Sequence, residues 1–313
     1  MSLKVYLAPM SGVTDLAFRI MCRKFGAAHC FYEMVDANAI TREHKRTADL
    51  LKTLDGDWPI AGQLVGESPE VMLDAAQRLA VSVKIAFLDI NSACPAKKVV
   101  KKKAGAALLK DPKKLGAMVK ALAQNLKIPV TVKLRIGFDK QDHKAFLNIA
   151  KTCEDNGAST VFIHGRTAAQ AYAGDIDYEA IRLAKENLKI PVFGSGNILD
   201  AVSAKRMSDE TGCDGILVAR GALGNPWIFA DIDEYIKKGT IAHCRSVADR
   251  KRVLKEHLMH IDKHKAIANF NKPGYMGKIA TWYLKGFSHA RRLRERIYKA
   301  KSCEKLIELV DSL

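Results

Sequence analysis

Val130-Thr131-Val132-Lys133-Leu134-Arg135, carried through residues 136–159 to Thr160-Val161-Phe162-Ile163-His164, is the stretch that decides the fold. Both ends are short runs of β-formers and the segment between them has helical periodicity, so it reads as strand, helix, strand. The strand runs are almost continuously apolar, as expected of strands covered on both faces. Each closes on side chains capable of chemistry: Lys133 and Arg135 in the first, His164 in the second.

The same alternation extends from the N-terminus to about residue 240 and gives eight strand candidates. They are Val5–Pro9, Ala28–Glu33, Ile60–Leu64, Ile85–Asn91, Val130–Arg135, Thr160–His164, Val192–Ser195 and Gly215–Ala219. Eight such units in about 240 residues match the size of a (β/α)8 barrel. Pro59, Pro129 and Pro191 precede or open strands, where a missing N–H costs least, and so mark the amino-terminal face. At the opposite ends sit Met10, Glu33, Gln63, Asn91, Lys133 with Arg135, His164 with Arg166, Gly196 with Asn197, and Arg220 with Gly221. Barrels draw their catalytic groups from those carboxyl ends.

Beyond residue 240 the strand pattern stops and the chain reads as helices, broken at Asn271-Lys272-Pro273-Gly274. Ile279, Trp282 and Tyr283 share one helical face, with Lys278 and Lys285 off it. The expected organisation is an α/β (β/α)8 TIM barrel over residues 1–240 followed by an all-α domain over 241–313.

The chain has 313 residues, 48% hydrophobic and 27% charged, which suits a large core and excludes a disordered chain. Lys and Arg number 51 against 34 acids, a formal charge of +17. Residues 236–313 alone hold 19 basic and 7 acidic residues, so the carboxyl-terminal quarter carries most of the excess. Such a balance favours a polyanionic partner. The seven cysteines form no CxxC pair, which argues against a disulfide framework or zinc cage and for a reducing, cytoplasmic compartment. No apolar run is long enough to span a bilayer.

Ala8-Pro9-Met10-Ser11-Gly12-Val13-Thr14-Asp15 runs from a strand through a tight bend into a capped helix, and the bend can bring backbone groups against a flat ligand. Asn91-Ser92-Ala93-Cys94-Pro95-Ala96-Lys97-Lys98 places a thiol directly after a strand, followed by cations. A lone cysteine is often a small buried hydrophobe; this setting favours an exposed, reactive one. Lys97, Lys98, Lys101, Lys102 and Lys103 form either a solvated face or a grip on phosphates. In Lys133-Leu134-Arg135 one cation points into the barrel and requires an anionic partner, a salt bridge or a ligand. The loops Gly194-Ser195-Gly196-Asn197 and Ala219-Arg220-Gly221-Ala222 follow the last two strands, where barrels commonly hold a phosphate.

Taken together these segments resemble the tRNA-dihydrouridine synthase family, from Leu7-Ala8-Pro9-Met10 to the WYLKG stretch at Trp282–Gly286. Cys94-Pro95-Ala96-Lys97-Lys98-Val99 is most similar to the bacterial B-type branch. The resemblance implies FMN-dependent reduction of the carbon 5 to carbon 6 double bond of selected D-loop uridines, with NADPH as hydride donor and Cys94 as the general acid. It also implies a flavin site made by Pro9, Met10, Gln63, Lys133, His164, Arg166, Gly196, Asn197, Arg220 and Gly221. Asn91, Lys97, Lys98, Lys278, Lys285, Arg291, Arg292, Arg294 and Arg296 become the tRNA contacts, and a monomer is expected. Three departures from the family pattern are Ala93 for Gly, Ala168 for Arg, and Ser195 with Asn197 for Asn and Asp.

Two other readings compete. A flavin barrel acting on a small molecule, such as a dihydroorotate dehydrogenase relative, explains residues 1–240 but leaves the basic tail unused. The other is a non-catalytic RNA-binding or RNA-chaperone protein on a degenerate barrel, which flavin absorbance in the purified protein would oppose.

Overall fold

The computed structural model describes residues 3–241, 245–267, 271–285, 287 and 289–311. Nine strands lie among them: β1 (Lys4–Leu7), β2 (Cys30–Phe31), β3 (Val35–Asp36), β4 (Ile60–Val65), β5 (Leu88–Ser92), β6 (Val130–Arg135), β7 (Thr160–His164), β8 (Val192–Ser195) and β9 (Gly215–Val218). All pair in parallel, in the order β1-β9-β8-β7-β6-β5-β4-β2, with β3 beside the end of β4. A parallel bridge from Tyr6 to His29 brings β1 back to β2, and the Leu7 N–H donates to the His29 carbonyl at 2.8 Å. Eight strands thus form the nearly closed barrel read from the sequence.

β6, β7 and β8 fall where the apolar runs place them. The run Ala28–Glu33 does not stay a strand: Glu33 turns its carboxylate to the Gly12 N–H, and the ladder resumes only at Val35. β5 starts at Leu88 rather than Ile85, although the Ala86 N–H already reaches the Ile60 carbonyl at 2.7 Å.

Short polar caps start the helices that cover the barrel. Ser68, Asp111, Asp142, Asp177 and Asp200 each accept an N–H three residues on, at 2.7–3.3 Å. The helix His143–Asp155 buries Phe146, Ile149, Ala150 and Cys153, one stripe at helical spacing. Inside the amino-terminal end of the barrel, Phe31, Phe87, Phe162 and Phe193 pack into a plug with Tyr6 and His29. Phe162 meets Phe31 and Phe193 edge-on, with ring centroids 5.5 and 5.1 Å apart.

The helix Ile228–Lys238 still packs on the barrel core through Ile228, Phe229 and Ile232, and after it come helices Val247–His264, Lys272–Tyr283, Ala290–Lys299 and Cys303–Asp311. The breaker at Asn271–Gly274 is the start of one of them, with Pro273 in its first turn, where its missing N–H is harmless. Val253, Leu258, Ile279, Tyr283, Ile297 and Leu306 build a second core that also takes in Ala17, Met21 and Trp227 from the barrel side. Cys244 and Gly286 lie outside the described residues. No described helix is long and apolar enough to cross a membrane, and the six described cysteines are free.

Candidate active site

Strand register gathers the polar strand ends at one mouth. Asn91 on β5 lies opposite Lys133 on β6, Arg135 opposite His164 on β7, and His164 opposite Ser195 on β8.

A chain of hydrogen bonds begins below the mouth and ends at the thiol loop. Fully buried Asp89 accepts from Thr131 Oγ1 and Gln63 Nε2, both at 2.7 Å. Gln63 Oε1 accepts from Asn91 Nδ2 at 2.8 Å, so the Asn91 amide has one orientation only. Its Oδ1 then faces the loop and takes the N–H groups of Ala93 and Cys94 at 3.1 and 2.9 Å. From the other side, buried Arg135 donates Nε to the Ala93 carbonyl at 2.7 Å and Nη1 to the Thr167 and Ala171 carbonyls at 2.8 and 2.9 Å. The half-buried Cys94 is therefore held by two side chains, and Ala93, which is not among the positive-φ residues, seats its β-carbon without strain.

The electrostatics are one-sided. Burial, then Arg135, lowers the Lys133 ammonium to about 8, and it makes no hydrogen bond or ion pair among the described residues. Burial pushes Asp89 up to about 7 against the pull of its hydrogen bonds. Burial followed by Lys133, Arg135, Arg166 and Arg220 drives His164 far below the usual histidine range, so its imidazole is neutral at physiological pH. Burial lowers Arg135 only to about 10, which leaves it charged.

Two guanidiniums converge on a single neutral oxygen. Asn197 Oδ1 accepts from Arg166 Nη1 at 3.1 Å and from Arg220 Nη2 at 3.0 Å. The loops around them are closely packed at their glycines. Gly196 has φ +129°, and a β-carbon there meets Ile176 Cδ1 at 2.3 Å. A β-carbon on Gly221 meets the Ile198 carbonyl at 2.2 Å. Two guanidiniums that make no ion pair among the described residues, beside glycine-bearing loops, form the donor set of an anion site.

Pro9 and Met10 are partly exposed at the start of the bend, where the Met10 carbonyl accepts from Val13 N–H at 3.1 Å. Ser195 is buried and donates its hydroxyl to the Ile163 carbonyl at 3.1 Å; Ala168 is buried with its N–H on the Gly137 carbonyl. Lys97 and Lys98 are exposed in the short helix Lys97–Val100 beside Cys94, while Lys102 pairs with Asp36 at 2.8 Å. Arg291, Arg292, Arg294 and Arg296 are exposed on helix Ala290–Lys299, Arg291 with Glu295 at 3.6 Å, and Lys285 is exposed ahead of it. Lys278 is engaged inward: its ammonium donates to the Gly12 carbonyl at 3.0 Å and lies over the Trp282 ring.

Sequence reading missed Asp89, Thr131 and Tyr172. Asp89 leaves one signal, a carboxylate in the middle of an apolar strand run. Tyr172 leaves none: its exposed ring rests on the guanidiniums of Arg135 and Arg220, 5.8 and 5.1 Å away, from a loop without periodicity.

The Dihydrouridine synthase (Dus) family profile matches residues 6–312. The chain is 35% identical over 302 residues to tRNA-dihydrouridine synthase B of Pseudomonas aeruginosa, covering 96% of this chain and 90% of that protein. It is 36% identical over 299 residues to the probable tRNA-dihydrouridine synthase of Rickettsia conorii, covering 94% and 88%. Among solved structures, histamine dehydrogenase from Rhizobium sp. 4-9 superposes with a TM-score of 0.55 at 11% identity over 82% of this chain and 49% of that one. A 2-naphthoyl-CoA reductase complex gives 0.56 at 11% identity over 75% and 50%. The chain spans about half the length of these two enzymes, and at such identity the likeness is one of fold. The end-to-end family match and the two bacterial relatives make the chain a member of the dihydrouridine synthase family, flavin oxidoreductases of the TIM-barrel architecture.

Proposed function

We propose that this enzyme reduces uridines in the D-loop of tRNA to 5,6-dihydrouridine, with FMN as resident cofactor, NADPH as reductant and Cys94 as proton donor. The observation that carries this reading is the Cys94 loop, fixed by Asn91 and Arg135 at the same mouth as Lys133, which makes no hydrogen bond or ion pair among the described residues, and a neutral His164.

The donor set fits FMN. Arg166, Arg220 and the main chain at Gly196, Asn197 and Gly221 suit its phosphate; Gln63, Lys133 and His164 suit the polar edge of its ring; Pro9 and Met10 suit the ring face. When bound, FMN supplies a hydride for carbon 6 of uracil.

The chain's own residues supply the rest. Cys94 holds the proton for carbon 5, and Asn91 keeps that thiol in place by binding the loop's N–H groups. Once the proton leaves, a thiolate remains, and Lys133 and Arg135, both within electrostatic reach of Cys94, stabilise it. Lys133 offers its charge equally to an electron-rich ring beside it.

Residues 1–240 thus carry the reaction. Residues 241–313, with Lys97 and Lys98, grip the tRNA through Arg291, Arg292, Arg294, Arg296 and Lys285, mainly by phosphate contacts. A broad grip offsets the cost of extruding a packed base. The enzyme acts as a cytoplasmic monomer in this reading.

The test uses purified full-length protein, tRNA lacking dihydrouridine, and NADPH or NADH. A flavin-containing protein that forms dihydrouridine in the D-loop, faster with NADPH, is the expected result. A protein without flavin, or one that reduces free uridine as well as tRNA, contradicts the reading.

A further inference from the structure

The bend from Pro9 to Asp15 is held both by the barrel and by the helical segment that follows it. Its Gly12 N–H donates to Glu33 Oε2, and its Gly12 carbonyl accepts from Lys278 Nζ at 3.0 Å. Glu33 is buried, and its second oxygen, Oε1, has no hydrogen bond among the described residues but faces Lys265 Nζ at 3.6 Å. The same ammonium lies 3.2 Å from Asp15 Oδ2 and 4.9 Å from the centre of the Tyr275 ring. Tyr275 donates its hydroxyl to Asp15 Oδ2 at 2.8 Å, and Asp15 Oδ1 caps the helix Leu16–Lys24 through the Phe18 N–H at 3.0 Å. Lys265, Tyr275 and Lys278 all belong to the helical segment, more than two hundred positions from the bend.

A second loop of the mouth leans on the same segment. A β-carbon on Gly224, just beyond the Arg220–Ala222 turn, meets the Trp282 carbonyl at 2.2 Å. Both contacts go to the helix Lys272–Tyr283 or the residues leading into it. Salt bridges on an open surface would matter little, but the side chains of Lys265, Asp15 and Glu33 are only 11%, 7% and 5% exposed. Two buried carboxylates share one cation, so its loss leaves both without that counter-charge and weakens the brace on the bend.

We propose that Lys265 and Lys278 are positioning residues that hold the Pro9–Asp15 bend in its flavin-binding shape, so that the helical segment is a structural part of the cofactor pocket as well as the RNA grip. The inference rests on the FMN reading above. It assigns Lys278 a task facing the barrel, whereas its place in the sequence suggested RNA. Lys265 acts through Glu33 and Asp15, and neither lysine touches the reacting atoms.

The test compares full-length wild type with Lys265→Met, Lys265→Arg and Lys278→Met. Three quantities are read: FMN affinity by fluorescence titration of the deflavinated protein, tRNA affinity of that same protein, and hydrogen exchange at the Gly12–Phe18 amides. Lys265→Met is expected to weaken FMN binding about tenfold, the size of an ordinary coupling free energy, while tRNA affinity stays within about twofold. Its Gly12–Phe18 amides exchange faster, Lys265→Arg restores most of both properties, and Lys278→Met shifts both in the same direction by less. Lys278→Met, at an exposed residue, keeps the test open should Lys265→Met fail to fold. Unchanged exchange in Lys278→Met and Lys265→Met overturns the inference, as does faster exchange with FMN affinity intact, or a loss confined to tRNA binding. Wild type that binds no FMN overturns instead the reading on which the inference stands.

Discussion

The two ends of the barrel are built from the same strands and do opposite things. On β7, Phe162 belongs to the aromatic plug, while His164, two residues on and on the same strand face, stands at the mouth among four cations. On β6, Thr131 serves the buried Asp89, Lys133 makes no hydrogen bond or ion pair among the described residues, and Arg135 ties down the thiol loop. One end gains stability from packed rings. The other holds an excess of positive charge, which costs stability and which, in the proposed reading, a ligand completes. Between them, Asp89, Gln63 and Asn91 form a hydrogen-bonded layer that ends on the Cys94 loop.

Breaking the mouth should cost activity and spare the fold. Lys133→Met is expected to lower tRNA reduction about 10²–10³-fold, the loss typical of one preorganised electrostatic donor. Its thermal midpoint should equal or exceed that of wild type, because a buried ammonium is replaced by an apolar chain of similar length. Steady-state kinetics beside thermal unfolding read both.

Breaking the plug should do the reverse. Phe162→Ala removes a ring that touches Phe31, Phe87 and Phe193 and should destabilise the protein by about 3–5 kcal/mol. Urea unfolding measures the loss, and the protein that remains folded should keep wild-type turnover.

The layer between the two ends sharpens the contrast through pH. Burial raises Asp89 from 3.8 to about 7, so the folded state binds more protons than the unfolded state between those values. Stability on this account is greatest below the unfolded value and falls as pH rises through the folded one, by at most about 1.4 kcal/mol per pH unit. Asp89→Asn should remove that slope, as denaturant midpoints between about pH 4 and about pH 7 will show.

The smallest effect lies outside the barrel. Arg292→Ala should reduce the slope of log affinity for tRNA against log salt by about 0.9 if Arg292 neutralises one phosphate, with FMN binding unchanged. Binding assays over a salt series check it.

How much of this could be read from residues alone depends on how local each signal is. β6, β7 and β8 are short β-branched and aromatic runs between breakers, and period and composition suffice to find them. The mouth was legible for the same reason: in a barrel, whatever ends a strand shares a rim with what ends the others, so Asn91, Lys133, Arg135 and His164 needed only the fold. The break between β2 and β3 was not legible, because it follows from Glu33 reaching back to Gly12. Nor was the inward engagement of Lys278, which off the apolar helical face reads as a solvent cation until the barrel bend is placed beside it. Contacts between distant segments leave no periodicity to detect.

The central claim is that a thiol fixed at the barrel mouth delivers a proton to a tRNA base. The direct measurement is single-turnover tRNA reduction by Cys94→Ala, loaded with FMN and pre-reduced, alongside wild type. The account predicts a rate lower by about 10²–10⁴, with FMN content, tRNA affinity and thermal midpoint unchanged. Reduction at the wild-type rate by the alanine variant would contradict it.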